Sequence, residues 1–200
     1  MRIGIFTDSF VPRPDGIAIA VDTMRQALEQ EGHEVYVFCP ARPEAIYDDP
    51  HIITYPSVPA FFYEGLRAAW PFGRRKLQEI EELRLDIIHI HLPFMIGFAG
   101  LRAAKKLSIP VVMSCHQDMD YVKDYPGAFL LGGLILLPVM LITGRFRQAG
   151  RLLFARRVDK RLPWRYDLVR RSYTFLTDSC DAAVAPSHKI FDQLKPYSKS

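Results

Sequence analysis

MRIGIFTDSFVPRPDGIAIAVDTMRQALEQEGHEVYVFCP, residues 1–40, decides the fold. Residues 3–7 and 35–39 are short apolar runs of the kind expected for strands covered on both faces. Between them Ile17, Val21, Met24 and Leu28 recur at the spacing of one helix face, and Gly32 follows Glu31 to close that helix. A strand, a helix and a second strand in this order form a right-handed crossover between parallel strands. Working outward, further strands are expected at 52–55, 87–91, 110–115 and 182–185. Leu77, Ile80 and Leu83 mark a short helix, and residues 94–107 mark another that ends before Pro110. The pattern predicts an α/β protein, a doubly wound parallel sheet with helices on both faces.

The chain has 200 residues, 49% of them hydrophobic and 24% charged, which excludes a disordered, collagen-like or coiled-coil chain. Three scattered cysteines, Cys39, Cys115 and Cys180, with no CxxC pair, argue against a disulfide framework or a cysteine zinc site and for a reducing compartment. The N-terminus reads as a strand and lacks the build of a signal peptide. Net charge is +4, but ten Arg/Lys against two Asp lie between Arg145 and Arg171. That segregation points to an anionic partner surface.

Ligands of open α/β sheets bind beyond the carboxyl ends of the strands, so the loops there carry the candidate site. After the first strand, Asp15-Gly16 turns into a helix whose N-terminal N–H groups suit a phosphate, or simply form a capped turn. The fingerprint GxGxxG is missing, which argues against a nicotinamide or flavin dehydrogenase. In IIHIHLPF, His89 and His91 share a strand face; His91, nearer the strand end, is the candidate hydrogen-bond donor to an acceptor, and His89 a satisfied interior histidine. No carboxylate or thiol has the spacing to complete a metal site with them. In VVMSCHQDMDYV, Cys115 and His116 face opposite sides of a strand, so they are not a nucleophile–base pair. His116 leaves the strand end with Asp118, Asp120 and Tyr121 close behind, placed for sugar or acceptor contacts; the plainer reading is a loop histidine bonded to Asp118.

Residues 125–144 are twenty residues without a charge, and a straight helix of that length would span about 30 Å. Pro138 and Gly132-Gly133 interrupt it, and it lies between two strands of one sheet. A bilayer span, a lobe dipping into one leaflet and a buried helical hairpin all remain open. The basic segment that follows mixes Arg with aromatic residues, as interfacial elements on anionic lipid do. A nucleic-acid stripe is the rival, and the adjoining apolar run favours lipid. Phe129, Leu130, Leu134, Ile135, Arg145, Arg147, Arg156, Arg157 and Trp164 are the candidate membrane residues.

Taken together, IGIFTDSFVPRPDGIA, GHEVYVFCP, DIIHIHLPF, IPVVMSCHQDMDYV and CDAAVAPSHKIFDQL resemble the N-terminal half of retaining GT-B glycosyltransferases of family 4, which is Rossmann-like. The likeness covers about the first 125 residues and the last 20, and the histidine loop resembles that of bacterial diacylglycerol glucosyltransferases. It implies transfer of a hexose from a UDP- or GDP-sugar to a lipid, with no metal or other cofactor. Gly16 then lies where the glycine loop approaches the donor diphosphate, with Asp15 and Ser187 on the donor side, and His116 near the transferred sugar. Asp15 and Gln117 depart from the residues common in the family. The family's donor-side glutamate pair, eight positions apart, has no counterpart, since no two of Glu29, Glu31, Glu34, Glu44, Glu64, Glu79, Glu81 and Glu82 have that spacing. Residues 1–195 are accordingly expected to be an acceptor-side domain with an apolar and basic insert at 125–171, and 196–200 the start of a linker to a C-terminal donor domain. Such a domain is expected to be inactive alone and to sit peripherally on the cytoplasmic face of the cell membrane.

Overall fold

The computed structural model describes residues 1–60, 65–118, 128–154, 158 and 163–198, with positions 128–134 and 154 described by backbone alone. The chain divides into two compact units, Met1–Ser114 and Cys115–Ser200.

The first unit is built on β1 (Arg2–Phe6), α1 (Gly16–Gln30), β2 (Glu34–Pro40) and β3 (Ile52–Tyr55). It continues through β4 (Ser57–Pro59), β5 (Arg67–Ala69), α2 (Arg74–Glu82), β6 (Ile87–Ile90), α3 (Met95–Leu107) and β7 (Val111–Ser114). Its main strands are all parallel, in the order β3-β2-β1-β6-β7. The strand order reverses between β1 and β6, the switch point at which the carboxyl-end loops part to leave a crevice. With right-handed crossovers, α1 and α3 fall on opposite faces of the sheet, the doubly wound arrangement expected from sequence. Ile3, Ile5, Val35, Val37 and Cys39 meet Val21 of α1 in a buried cluster, and Phe6 stacks on Phe38 with ring centroids 4.1 Å apart.

The local signals act where the sequence placed them. Gly32 has φ 81°, the left-handed conformation that suits glycine, and its N–H donates to Glu29 O while His33 N–H donates to Leu28 O. That double bond pattern closes α1. The antiparallel pair β4–β5 was not expected; three-residue strands carry too little periodicity to read.

The second unit holds α4 (Ala128–Thr143), α5 (Phe146–Phe154), α6 (Trp164–Thr177), β8 (Ala182–Val184) and α7 (His188–Leu194). Cys115 N–H donates to Val184 O at 2.8 Å, which pairs β8 to the backbone continuing from β7. β8 forms where a strand was expected at 182–185, and all three of its residues are exposed. Helix α6 is the centre of this unit, with Val169, Tyr173 and Leu176 buried and α4 and α5 packed on it.

One buried polar group fastens several segments to α6. Asp167, with no exposed surface, pairs with Arg171 and accepts from Val158 N–H and Tyr197 Oη, each at 3.1 Å. Arg171 in turn donates to Leu152 O at 2.8 Å, at the end of α5.

Candidate functional site

In the first unit the crevice loops are heavily cross-braced. Asp15 is the N-cap of α1: its carboxylate accepts from Ala18 N–H at 2.8 Å, from Ser9 Oγ at 2.5 Å and from Arg13 Nε at 2.7 Å. Such a cap holds the first turn in place. Gly16 follows it as the first helical residue, exposed, and a Cβ there would meet nothing within 4 Å. The glycine is thus not required by packing, and its backbone is open to close approach from outside.

Asp8, at the end of β1, has no exposed surface and accepts from Ile96 N–H at 2.8 Å and Gly97 N–H at 3.2 Å, at the start of α3. It ties one crevice loop to the helix following the other. Gly97 is fixed by this close approach, since a Cβ would lie 1.9 Å from Leu92 O. Burial outweighs these bonds and raises the Asp8 carboxyl from 3.8 to about 7. Folded protein therefore holds a proton that unfolded protein has lost between those values, so stability falls as pH rises through this window and is flat above it. Asp8 is expected to contribute a loss on the order of 4 kcal/mol. Urea unfolding from pH 5 to 8 checks this: the difference between wild type and Asp8→Asn should vary across that range. A difference independent of pH would show that Asp8 stays ionised throughout.

His91 is wholly buried, its ring centroid 4.2 Å from that of His89, as two residues apart on one strand predicts. His89 Nε2 is 2.9 Å from Ser114 Oγ, the satisfied interior partner expected for it. Among the described residues no group of three His, Cys, Asp or Glu is placed to hold a metal ion.

The second unit carries the histidine loop. Cys115 is buried, its thiol pushed up to about 11 by burial, and is unsuited to act as a nucleophile. His116 is half-buried, and burial lowers the titration of its imidazole, favouring the neutral form. The Tyr173 hydroxyl, on α6, is wholly buried near Cys115 and has no hydrogen-bond partner among the described residues. Asp118 accepts from Lys189 Nζ at 2.5 Å and Gln193 Nε2 at 2.8 Å, both on α7. Ser187 caps α7 by accepting from Ile190 N–H at 3.3 Å. Asp120 and Tyr121 lie outside the described residues.

The apolar and basic segment is folded as helices. Among the described residues no helix is long and apolar enough to cross a membrane. Helix α4 buries Ile135, Leu136 and Val139 and exposes Leu137 and Leu141. One residue expected to face outward is turned inward, and a second is half-buried and paired. Ile135 is in the core, and Arg145 donates to Asp178 O and Ser179 Oγ at 3.0 and 2.8 Å with its guanidinium over the Phe175 ring. Phe146, Arg147, Arg151, Leu153 and Trp164 are exposed. Arg156 and Arg157 lie outside the described residues, as do the side chains of Phe129, Leu130 and Leu134. A comparable edge went unread in the first unit: Trp70 is 72% exposed against Phe72, with Arg74 and Arg75 exposed at the start of α2. The signal in WPFGRR was an aromatic pair beside two arginines.

The parallel sheet with its switch-point order defines a Rossmann-like α/β domain. The chain belongs to glycosyltransferase family 4, whose sequence model matches residues 14–199. It is 35% identical over 143 residues to an alpha-monoglucosyldiacylglycerol synthase of Streptococcus pneumoniae, covering 70% of this chain and 31% of that protein. A protein of the same name from Acholeplasma laidlawii is 29% identical over 197 residues, covering 97% and 42%. A GDP-mannose-dependent alpha-mannosyltransferase of Mycobacterium tuberculosis is 27% identical over 125 residues, covering 60% and 33%. The chain thus spans less than half the length of each of these relatives.

Proposed function

We propose that residues 1–195 form the acceptor-side domain of a membrane-associated glycosyltransferase, with 196–200 opening the link to a donor-binding domain. The enzyme moves a hexose from a UDP- or GDP-sugar to a lipid acceptor with retention. The observation that carries this reading is the family match over residues 14–199, joined to two relatives named as alpha-monoglucosyldiacylglycerol synthases. In this reading the exposed backbone of Gly16, held in place by the Asp15 cap, meets the donor diphosphate. Ser187 borders the donor side. His116 hydrogen-bonds the transferred sugar, and His91, Asp118, Asp120 and Tyr121 serve the acceptor. Helix N-termini and basic groups stabilise the leaving diphosphate without a metal ion.

A second reading, transfer to a phosphoinositide acceptor, is favoured by the mannosyltransferase relatives, among them a phosphatidyl-myo-inositol mannosyltransferase of Mycolicibacterium smegmatis, 32% identical over 122 residues. One assay separates the two. The enzyme with its donor-binding domain is given UDP-glucose or GDP-mannose and vesicles carrying diacylglycerol or phosphatidylinositol, and the lipids are weighed by mass spectrometry. Hexosyl-diacylglycerol is expected, with no product from this chain alone. Product only on phosphatidylinositol selects the second reading, and product on neither lipid overturns both.

The exposed apolar and basic residues of α4, α5 and Trp164 support peripheral contact with anionic lipid, as does the Trp70 edge. Each basic residue near such a surface contributes about 1 kcal/mol. The chain is expected to co-sediment with phosphatidylglycerol vesicles, weakening with salt, and Arg147→Glu with Arg151→Glu should reduce binding at least about tenfold. Equal recovery on neutral phosphatidylcholine vesicles, insensitive to salt, would remove the electrostatic part.

A further inference from the structure

We propose that Asp118 is a positioning residue: through Gln193 and Lys189 it clamps the loop that follows β7 onto α7 and so fixes the His116 imidazole. This rests on the reading of His116 as the residue that meets the sugar, and it gives Asp118 a different task from contact with an acceptor. The carboxylate has both oxygens engaged by α7, Oδ1 with Gln193 Nε2 at 2.8 Å and Oδ2 with Lys189 Nζ at 2.5 Å. The two bonds are unequal. Lys189 is 61% exposed, and an ion pair so exposed contributes little. Gln193 is only 7% exposed, and a buried amide whose acceptor is removed loses its hydrogen bond with no water to replace it. Gln193 is therefore the main anchor and Lys189 the lesser one.

Two residues before the clamp, His116 sits half-buried, next to Cys115, whose N–H donates to Val184 O at 2.8 Å. The loop is thus held by β8 at 115 and gripped from α7 at 118. Releasing one grip lets water reach the imidazole and lets its ring reorient. A group that must meet a sugar hydroxyl at hydrogen-bond distance loses effectiveness when so freed, because orientation is part of what it contributes.

The test uses this chain and needs no turnover. NMR follows the His116 imidazole through a pH titration, and amide exchange at 116–118, in wild type, Asp118→Ala, Gln193→Glu and the double variant Asp118→Asn with Gln193→Glu. Charge and clamping predict opposite signs for Asp118→Ala. Losing a nearby carboxylate would by charge alone move the imidazole titration down, whereas freeing the loop relieves the burial that now lowers it and moves the titration up towards 6.5. The upward shift is expected, with amide exchange at least about tenfold faster. Gln193→Glu sets two carboxylates face to face and should also open the loop. The double variant restores a hydrogen bond of reversed polarity at unchanged net charge, and should return both readouts to wild type. A downward or absent shift in Asp118→Ala, or a double variant as loose as Gln193→Glu, overturns the clamp. The part played by His116 in transfer is judged separately by kinetics of His116→Ala, so either idea can fail while the other stands.

Discussion

Replacing His116 by alanine in the active glycosyltransferase is expected to cut turnover by roughly 10²–10³ while changing folding stability little. The residue follows directly on Cys115, whose N–H bonds to Val184, so its backbone is held as the chain leaves the strand while its side chain stays half-exposed. Burial favours the neutral imidazole, which offers one N–H donor and adds no charge of its own. In the proposed retaining transfer, positive charge builds on the sugar ring and negative charge on the departing diphosphate. A neutral donor fixed on the sugar aligns the reacting atoms without repelling that developing cation. A histidine serving only packing would behave in the opposite way, with melting lowered and turnover per folded molecule kept. Thermal melting and steady-state kinetics on one preparation decide between them. Melting lower by several degrees with turnover within about twofold of wild type would make His116 a packing residue.

Removing the Asp167 carboxylate is expected to have the largest effect on stability. Asp167→Ala should destabilise the second unit by about 3–5 kcal/mol, because the 8%-exposed Arg171 then keeps its charge without its carboxylate. The loss also strips Val158 N–H and Tyr197 Oη of an acceptor. A double variant, Asp167→Leu with Arg171→Met, is expected to recover most of the loss, since a buried pair exchanged for apolar groups of similar size is often neutral. The two tryptophans make the measurement local: Trp70 lies in the first unit and Trp164 opens α6, so a Trp70→Phe background reports the second unit alone. Urea unfolding followed by that fluorescence checks it. A single variant within about 1 kcal/mol of wild type would show that the pair behaves like an exposed one.

Those two residues illustrate what was legible in the chain. His116 was found because a parallel strand has a direction, and the residue that leaves its carboxyl end has a defined place in an open sheet. Asp167 was invisible, one of two acids among ten basic residues, and its importance comes entirely from having no exposed surface. Asp118 stood in the right loop, but its partners are 71 and 75 residues away and no local pattern announces them.

The sequence by itself determined the alternation of elements, their parallel direction, the closure of α1 at Gly32 and the family, because each depends on periodicity or on local backbone chemistry read within a few residues. The tertiary structure alone decided which side chains are enclosed. It turned Ile135 inward, paired Arg145 with Asp178 O, left β8 exposed, and buried Asp8 deeply enough to raise its carboxyl to about 7. Burial is a property of what packs against a residue from distant parts of the chain. Desolvation, paired charges and satisfied hydrogen bonds follow from that packing, and no spacing along the chain encodes them.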